Sequence, residues 1–251
     1  LAGLYYRLAL LYQKKGEYNQ AVIELNKALK IDLVNLGKNH RRVGTIYSML
    51  GTIYYKKRKY SLSVTNFKKS VAVARSQFRR NDIKSRLRLS SELGNIGLAY
   101  WKSGELDSAI KSLKEAQQIS AVVKKQPKRK VANRYIYLGL VYWKKKDYKL
   151  AISNYLKAVE IEKQLLGKDH YQLTKRYANL GLLFRLDGNA PKSIEYYSLA
   201  LVLEQKEHGN HHSVVANRYS DLGAIYRRSG NIKKAISSYE KVVTIRSKHL
   251  G

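Results

Sequence analysis

Apolar positions along the chain recur at spacings of 3 and 4, and the stripes they form come in pairs. In residues 126–167, Tyr135, Leu138, Gly139 and Tyr142 fall on one helical face. A polar turn follows at Lys146-Asp147, and Ala151, Tyr155, Ala158 and Ile161 make a second stripe. This predicts two amphipathic helices joined by a short turn. Small Gly139 and Ala151 are expected where the helices cross, with Tyr142 and Tyr155 filling the wider gaps around them.

The same unit returns along the whole chain. Leu50-Gly51-x-x-Tyr54, Leu138-Gly139-x-x-Tyr142 and Leu222-Gly223-x-x-Tyr226 share one core. Leu8-Ala9-x-x-Tyr12, Ile96-Gly97-x-x-Tyr100 and Leu180-Gly181-x-x-Phe184 are its variants, at spacings of 42, 46, 42, 42 and 42 residues. A fixed period in this range predicts a solenoid of stacked helix pairs, because no single pair can bury its own stripe. One array over 1–251 is expected, with repeats over approximately 2–37, 38–79, 80–125, 126–167, 168–209 and 210–251.

Turn chemistry agrees with the period. Gly16, Gly104, Gly188 and Gly230 stand where a first helix should end in a left-handed residue. Arg58 and Lys146 replace glycine there and should cost some stability. Leu36-Gly37, Leu166-Gly167 and His208-Gly209 mark the ends of second helices, and Asn39, Asp169 and Asn210 are expected to cap the helices that follow. Pro191 falls near a helix start. Pro127, in the basic junction Lys124-Lys125-Gln126-Pro127-Lys128-Arg129-Lys130, should interrupt a helix. The wider 46-residue spacing is surrounded by Arg75, Arg79, Arg80, Lys84, Arg86 and Arg88; it is read as an insertion or a longer helix.

Charge adds a second theme. There are 49 Lys and Arg against 18 Asp and Glu. Residues 1–125 carry a net +17 and residues 126–251 a net +14, so the excess is spread along the array. Such a field attracts acidic proteins, nucleic acid or anionic surfaces. With no cysteine, neither disulfides nor thiolate chemistry enters, which fits a cytoplasmic location. No apolar run is long enough to span a bilayer, and no signal-peptide pattern occurs. The absent initiator Met and the ending at Leu250-Gly251 predict a segment of a longer protein.

The series Tyr135…Leu138-Gly139…Tyr142…Tyr148…Ala151…Tyr155…Ala158 resembles the tetratricopeptide repeat, in six copies over essentially the whole chain. The 42-residue period, with Leu166-Gly167-Lys168-Asp169-His170 between units, looks like the kinesin-light-chain subtype. Paired asparagines typical of that subtype are replaced by Gly94-Asn95 and Ala178-Asn179 in two units and by other residues elsewhere. The resemblance implies an all-α fold, a right-handed α-solenoid of six antiparallel helix pairs, the tetratricopeptide superhelix. It also implies a concave groove lined by positions 2, 5, 6, 9, 12 and 13 of each unit.

Carried onto this chain, position 12 holds Gln13, Tyr55, Trp101, Trp143, Arg185 and Arg227. Position 13 holds Lys14, Lys56, Lys102, Lys144, Leu186 and Arg228. Asn95 and Asn179 occupy position 6, and Asn133 and Asn217 occupy position 2. Arg41, Arg42, Arg88, Arg129 and Lys130 lie near the starts of the same helices, so the groove should be basic along both edges. An Asn amide can donate to and accept from an extended backbone, and Lys or Arg beside it would select acidic groups. Equally open are core packing for the tryptophans, solvated or helix-end positions for the lysines, and interhelix hydrogen bonds for the asparagines.

Catalytic patterns are lacking: no paired carboxylates at a shared site, no cysteine nucleophile and no phosphate loop. His208, His211 and His212 cluster without an acid or Cys to complete a metal site. The expected function is therefore a non-catalytic protein–protein interaction scaffold, binding an extended and acidic peptide or partner segment. No cofactor, metal or small-molecule substrate is expected. Alternatives are a single-stranded RNA-binding array, in which Tyr55, Trp101 and Trp143 stack on bases, and an assembly module of a larger effector. The excess of Lys over Arg, 32 to 17, weighs against phosphate recognition.

Overall fold

A computed structural model of the chain describes residues 1–123 and 127–248. Among the described residues there are twelve α-helices and no strand. In order they are α1 (Ala2–Lys15), α2 (Tyr18–Leu36), α3 (Arg41–Lys56), α4 (Tyr60–Ser76), α5 (Ile83–Ser103), α6 (Leu106–Ala121), α7 (Lys128–Lys144), α8 (Tyr148–Leu166), α9 (Thr174–Leu186), α10 (Ala190–His208), α11 (Ser213–Arg228) and α12 (Ile232–Ser247). One 3₁₀ turn, Tyr171–Leu173, leads into α9. The chain forms two compact units, Leu1–Lys130 and Val131–Gly251. In each, consecutive helices pack against one another, as stacked pairs require.

Within each pair, one small residue meets one large residue sixteen positions later. A Cβ built on Gly51, Gly97, Gly139 or Gly181 would lie 2.6 to 2.8 Å from the side chain of Phe67, Leu113, Tyr155 or Tyr197, respectively. On Gly223 it would lie 3.1 Å from Tyr239. Ala9 and Leu25, at the same offset in the first pair, are both fully buried. The large side chain thus lies on the glycine itself rather than beside it, and the helices approach closely because nothing projects between them. A second small residue, twelve after the first, completes the crossing: Ala21, Ser63, Ala109, Ala151, Ser193 or Ala235, all buried. The two serines donate to the carbonyls of Gly51 and Gly181 at 2.8 and 2.6 Å, which satisfies hydroxyls that have left water.

Burial of the remaining stripe depends on the neighbouring pair. Val43, Ile46, Leu50 and Ile53 of α3 are 3 % exposed or less. Their counterparts on α1, Leu1, Leu4, Leu8 and Leu11, are 38 % to 77 % exposed. The sequence pattern is the same; what differs is that α2 packs against α3, while among the described residues no helix packs on that side of α1.

The turns hold as expected at Gly16, Gly104, Gly188 and Gly230, all at positive φ. Arg58 and Lys146 occupy the same turn at φ 57° and 62°. A side chain in that region is strained by about 1 kcal/mol relative to glycine. Lys146→Gly is therefore expected to raise the melting temperature by about 3 °C, measured by circular dichroism.

Capping between units follows a different rule from the expected Asn39, Asp169 and Asn210. The caps are His40, His170 and His212, whose Nδ1 atoms accept from the backbone N–H of Arg42, Gln172 and Val214. A ring nitrogen reaches the orphan N–H of the first turn as a carboxamide would. Pro191 lies in the first turn of α10. The wide spacing is partly a longer helix: α5 has 21 residues and is capped by Asp82. Backbone donors of Lys84 and Ser85 hold the Asp82 carboxyl below its ordinary range. Of the basic junction, Lys124, Lys125 and Gln126 lie outside the described residues, and α7 begins immediately after Pro127. The repeat ending at Leu250-Gly251 also lies outside them.

Candidate functional site

In the unit Leu1–Lys130, the first helices of three successive pairs open onto a cavity of about 280 Å3. Tyr6 and Gln13 come from α1. Arg41, Gly44, Thr45, Ser48, Met49 and Thr52 come from α3. Ser70, Val73 and Ala74 of α4, with Gln77 just beyond it, form another wall, and Arg88 and Glu92 of α5 close the cavity. Tyr6, Gln13, Thr45, Ser48, Met49 and Thr52 all stand at repeat positions 2, 5, 6, 9 or 12, the positions that the resemblance assigns to a groove.

The polar groups of this wall are ordered by one another. Glu92 Oε2 accepts from Ser48 Oγ at 2.8 Å and from Ser70 Oγ at 2.9 Å. Gln77 donates from Nε2 to the Asn39 carbonyl at 2.6 Å, and its Oε1 accepts from Arg88 Nη1 at 2.7 Å. Burial, and then the charge of nearby Arg41, lower the proton affinity of Arg88. Two guanidinium groups thus face one end of the cavity.

Glu92 has an informative place in the repeat. Its counterparts in the next three units are Arg134, Arg176 and Arg218. Arg176 pairs with Glu162 through two nitrogens, at 3.1 to 3.3 Å. Arg218 pairs with Glu204 in the same manner and reaches Asp221 at 2.7 Å. Each carboxylate lies near the end of the preceding second helix. Asp32 holds that place in α2 and pairs with Arg42 at 3.1 Å, one turn earlier on α3. In α4 the place is taken by Ala74. An arginine at 92 would find no acid there, and the carboxylate present instead takes two serine hydroxyls.

The residues singled out from sequence separate into groups. Trp101 and Trp143 are both half-buried. Lys102 Nζ lies 4.1 Å from the centre of the Trp101 ring. Tyr55 meets Tyr60 edge-on, while Lys56 sits over Tyr18 at 5.7 Å. Lys144 and Arg227 are exposed. Asn179 donates to the Tyr155 hydroxyl at 3.2 Å, and Asn217 accepts from Arg246 at 3.3 Å. These two asparagines therefore serve interhelix bonds. Asn95 and Asn133 are half-buried and make no side-chain hydrogen bond among the described residues. The charge of Arg185 acts on the Tyr197 hydroxyl. Tyr155 and Tyr197 are pushed up to about 12 by burial, so both remain protonated inside the stack.

None of these twelve lines the cavity. Sequence reasoning placed Arg41 and Arg88 at the groove edge but did not single out Gln77 or Glu92. The exchange of a recurrent arginine for Glu92 was the signal available for the latter. Lys68, Lys69, Lys111, Lys114, Lys233 and Lys234 of the second helices are exposed, so positive charge is not confined to the first-helix rows. Of the three clustered histidines, His212 is engaged as a cap and His208 bonds Tyr171 at 2.9 Å. No group of three metal-ligating side chains converges among the described residues.

The family model for the tetratricopeptide repeat matches residues 1–76, 87–161, 130–200 and 174–248. The chain belongs to the tetratricopeptide repeat family. No curated protein sequence matches it. Among solved structures, it resembles BtubC (BKLC) from P. vanneervenii at 20 % identity and a TM-score of 0.71, covering 96 % of this chain and 92 % of that one. It resembles the apo form of RapI at 14 % identity and a TM-score of 0.72, covering 98 % of both. The Rap conjugation gene regulator of plasmid pLS20, solved with the Phr* peptide, matches at 14 % identity and a TM-score of 0.57, covering 97 % of this chain and 73 % of that one. These likenesses establish the tetratricopeptide solenoid fold. Among the described residues, no helix of this repeat protein is long and apolar enough to cross a membrane.

Proposed function

We propose that the protein is a non-catalytic interaction scaffold that holds an extended, acidic segment of a protein partner along the basic faces of its first helices. The supporting observation is the cavity of the unit Leu1–Lys130, to which α1 and α3 contribute six residues at groove positions. Hydroxyl and amide groups there alternate with the apolar walls of Met49 and Val73, which suits a peptide backbone with its side chains. The half-buried amides of Asn95 in the unit Leu1–Lys130 and of Asn133 in the unit Val131–Gly251, each without a side-chain hydrogen bond, offer within their own unit the donor and acceptor that a backbone needs. In the unit Leu1–Lys130, Lys102 supplies charge and Trp101 apolar area beside it; in the unit Val131–Gly251, Lys144 and Trp143 hold the same repeat positions. The peptide in the pLS20 regulator complex is a fold-level analogy for this mode.

Replacing Lys102 and Lys144 together by Glu tests the reading. Binding of a fluorescein-labelled acidic peptide, followed by anisotropy, is expected to weaken by more than about tenfold, with helicity unchanged. Unchanged affinity would remove these first-helix ends from the binding face.

A further inference from the structure

The cavity wall carries more cations than it has internal use for. Arg88 is half-buried and uses one N–H on Gln77, which is itself anchored on the Asn39 carbonyl. Arg41 has no carboxylate partner among the described residues. Glu92 is the carboxylate that lines the wall; its charge and that of Asp82 act on Arg88, and its Oε2 already accepts two serine hydroxyls. Like charges held together inside a concavity are relieved by an anion placed between them.

We propose that the end of the cavity between Arg41 and Arg88 is a subsite for the carboxylate of an acidic side chain carried by the bound segment; this rests on the peptide-binding reading above. Arg88 is presented by Gln77 with its remaining N–H groups free, and a guanidinium offers a planar fork that matches a carboxylate. Gly44, Met49, Val73 and Ala74 give an apolar lining for the methylene stem of Asp or Glu. A phosphate is the poorer fit. Glu92 stands on the same wall and opposes a second negative charge, and neither tryptophan lines the cavity to stack a base. Gly44 lets α4 pack closely against α3 at this wall: a Cβ there would come within 2.9 Å of Val73 Cγ1.

The test uses a fluorescein-labelled peptide of alternating Glu and Gly, its Gln-for-Glu counterpart and a labelled oligouridylate, each titrated against the purified chain. The expected result is preference for the Glu peptide, with Arg41→Gln/Arg88→Gln weakening it by about tenfold. Lys233→Gln/Lys234→Gln on α12, which removes the same formal charge, should change it by less than about twofold. Arg41→Gln alone should give a partial loss; Arg41 is exposed and makes no internal side-chain bond, so folding is not at issue.

Equal weakening by both double variants would reduce the effect to bulk charge and overturn the subsite. So would equal affinity for the Glu and Gln peptides, or no binding of the Glu peptide at all. Oligouridylate bound in preference and lost in Arg41→Gln/Arg88→Gln would reassign the site to phosphate. If Lys102→Glu/Lys144→Glu abolishes peptide binding and the arginine variant does not, the groove reading survives and the subsite falls. The reverse pattern supports the subsite and removes the lysines from the account.

Discussion

Gly139→Leu is expected to lower the melting temperature by about 10 °C. The reason is local and geometric. A Cβ alone at 139 would lie 2.6 Å from Tyr155 Cδ2 and 2.8 Å from Cε2. Tyr155 is fully buried and its hydroxyl is held by Asn179, so the ring has nowhere to go. Overpacking of this kind costs about 3 kcal/mol, and a chain of this size loses about 3 °C for each kcal/mol. Gly139→Ala should produce a smaller part of the same drop. Gly3→Ala is the control. Nothing lies within 4 Å of a Cβ at that helical position, so the change is expected to stabilise slightly through helix propensity. Because stacked repeats communicate mainly with their neighbours, faster amide exchange should appear first in α7 and α8. An unchanged melting curve together with unchanged exchange would show that the crossing does not set the packing.

Glu204→Ala should destabilise the unit Val131–Gly251 by about 3 kcal/mol, the low end for breaking a buried ion pair. The Arg218 side chain is 14 % exposed and that of Glu204 6 %. Removing the acid leaves the guanidinium with Asp221 as its remaining carboxylate partner, beside the Tyr197 ring. Replacing both partners by leucine should recover much of the loss, because the desolvation of both charges disappears together. A double-mutant cycle by thermal melting measures the difference. Equal losses for the single and double variants would mean that packing, not charge, holds the junction.

Acidity offers an independent check on the same network. Burial pushes the Asp221 carboxyl up, while Arg218 and then Arg185 hold it down. A carboxyl raised in the folded state contributes stability below its unfolded value and loses it as pH rises through the folded value. Arg218→Leu removes the larger restraint and raises Asp221 further. The deficit of that variant against the parent should therefore narrow as pH falls from neutral toward the carboxylate range. A deficit that widens instead would place the ionised Asp221 outside the network.

Helix number, helix type and pairing were legible from periodicity alone, because a 3.6-residue stripe that recurs every 42 residues admits few other folds. The small-to-large offset of sixteen was present in all six units, from Ala9–Leu25 to Gly223–Tyr239. Spacing alone predicts a glycine with aromatics around it, because it does not say which large residue lies on which small one. The histidine caps were missed because Asn and Asp, the stronger capping residues, stood beside them in sequence. Local propensity cannot choose between adjacent candidates when the backbone turn decides which one reaches the first-turn N–H.

The candidate site divides along the same line. The resemblance implies a groove at positions 2, 5, 6, 9, 12 and 13 of each unit, and Tyr6, Gln13, Thr45, Ser48, Met49 and Thr52 of the cavity stand at such positions. Register could not say that Asn179 and Asn217 are consumed by interhelix bonds while Asn95 and Asn133 are left unbonded. Nor could it bring Gln77, at the end of one second helix, against Arg88 in the next pair. The repeating unit, its glycine crossings and the sign of its charge are readable from the residues in order, since each follows from contacts within a unit or from composition. Which polar groups satisfy one another and which face an open cavity emerges on folding, because those pairings form between helices that stacking brings together.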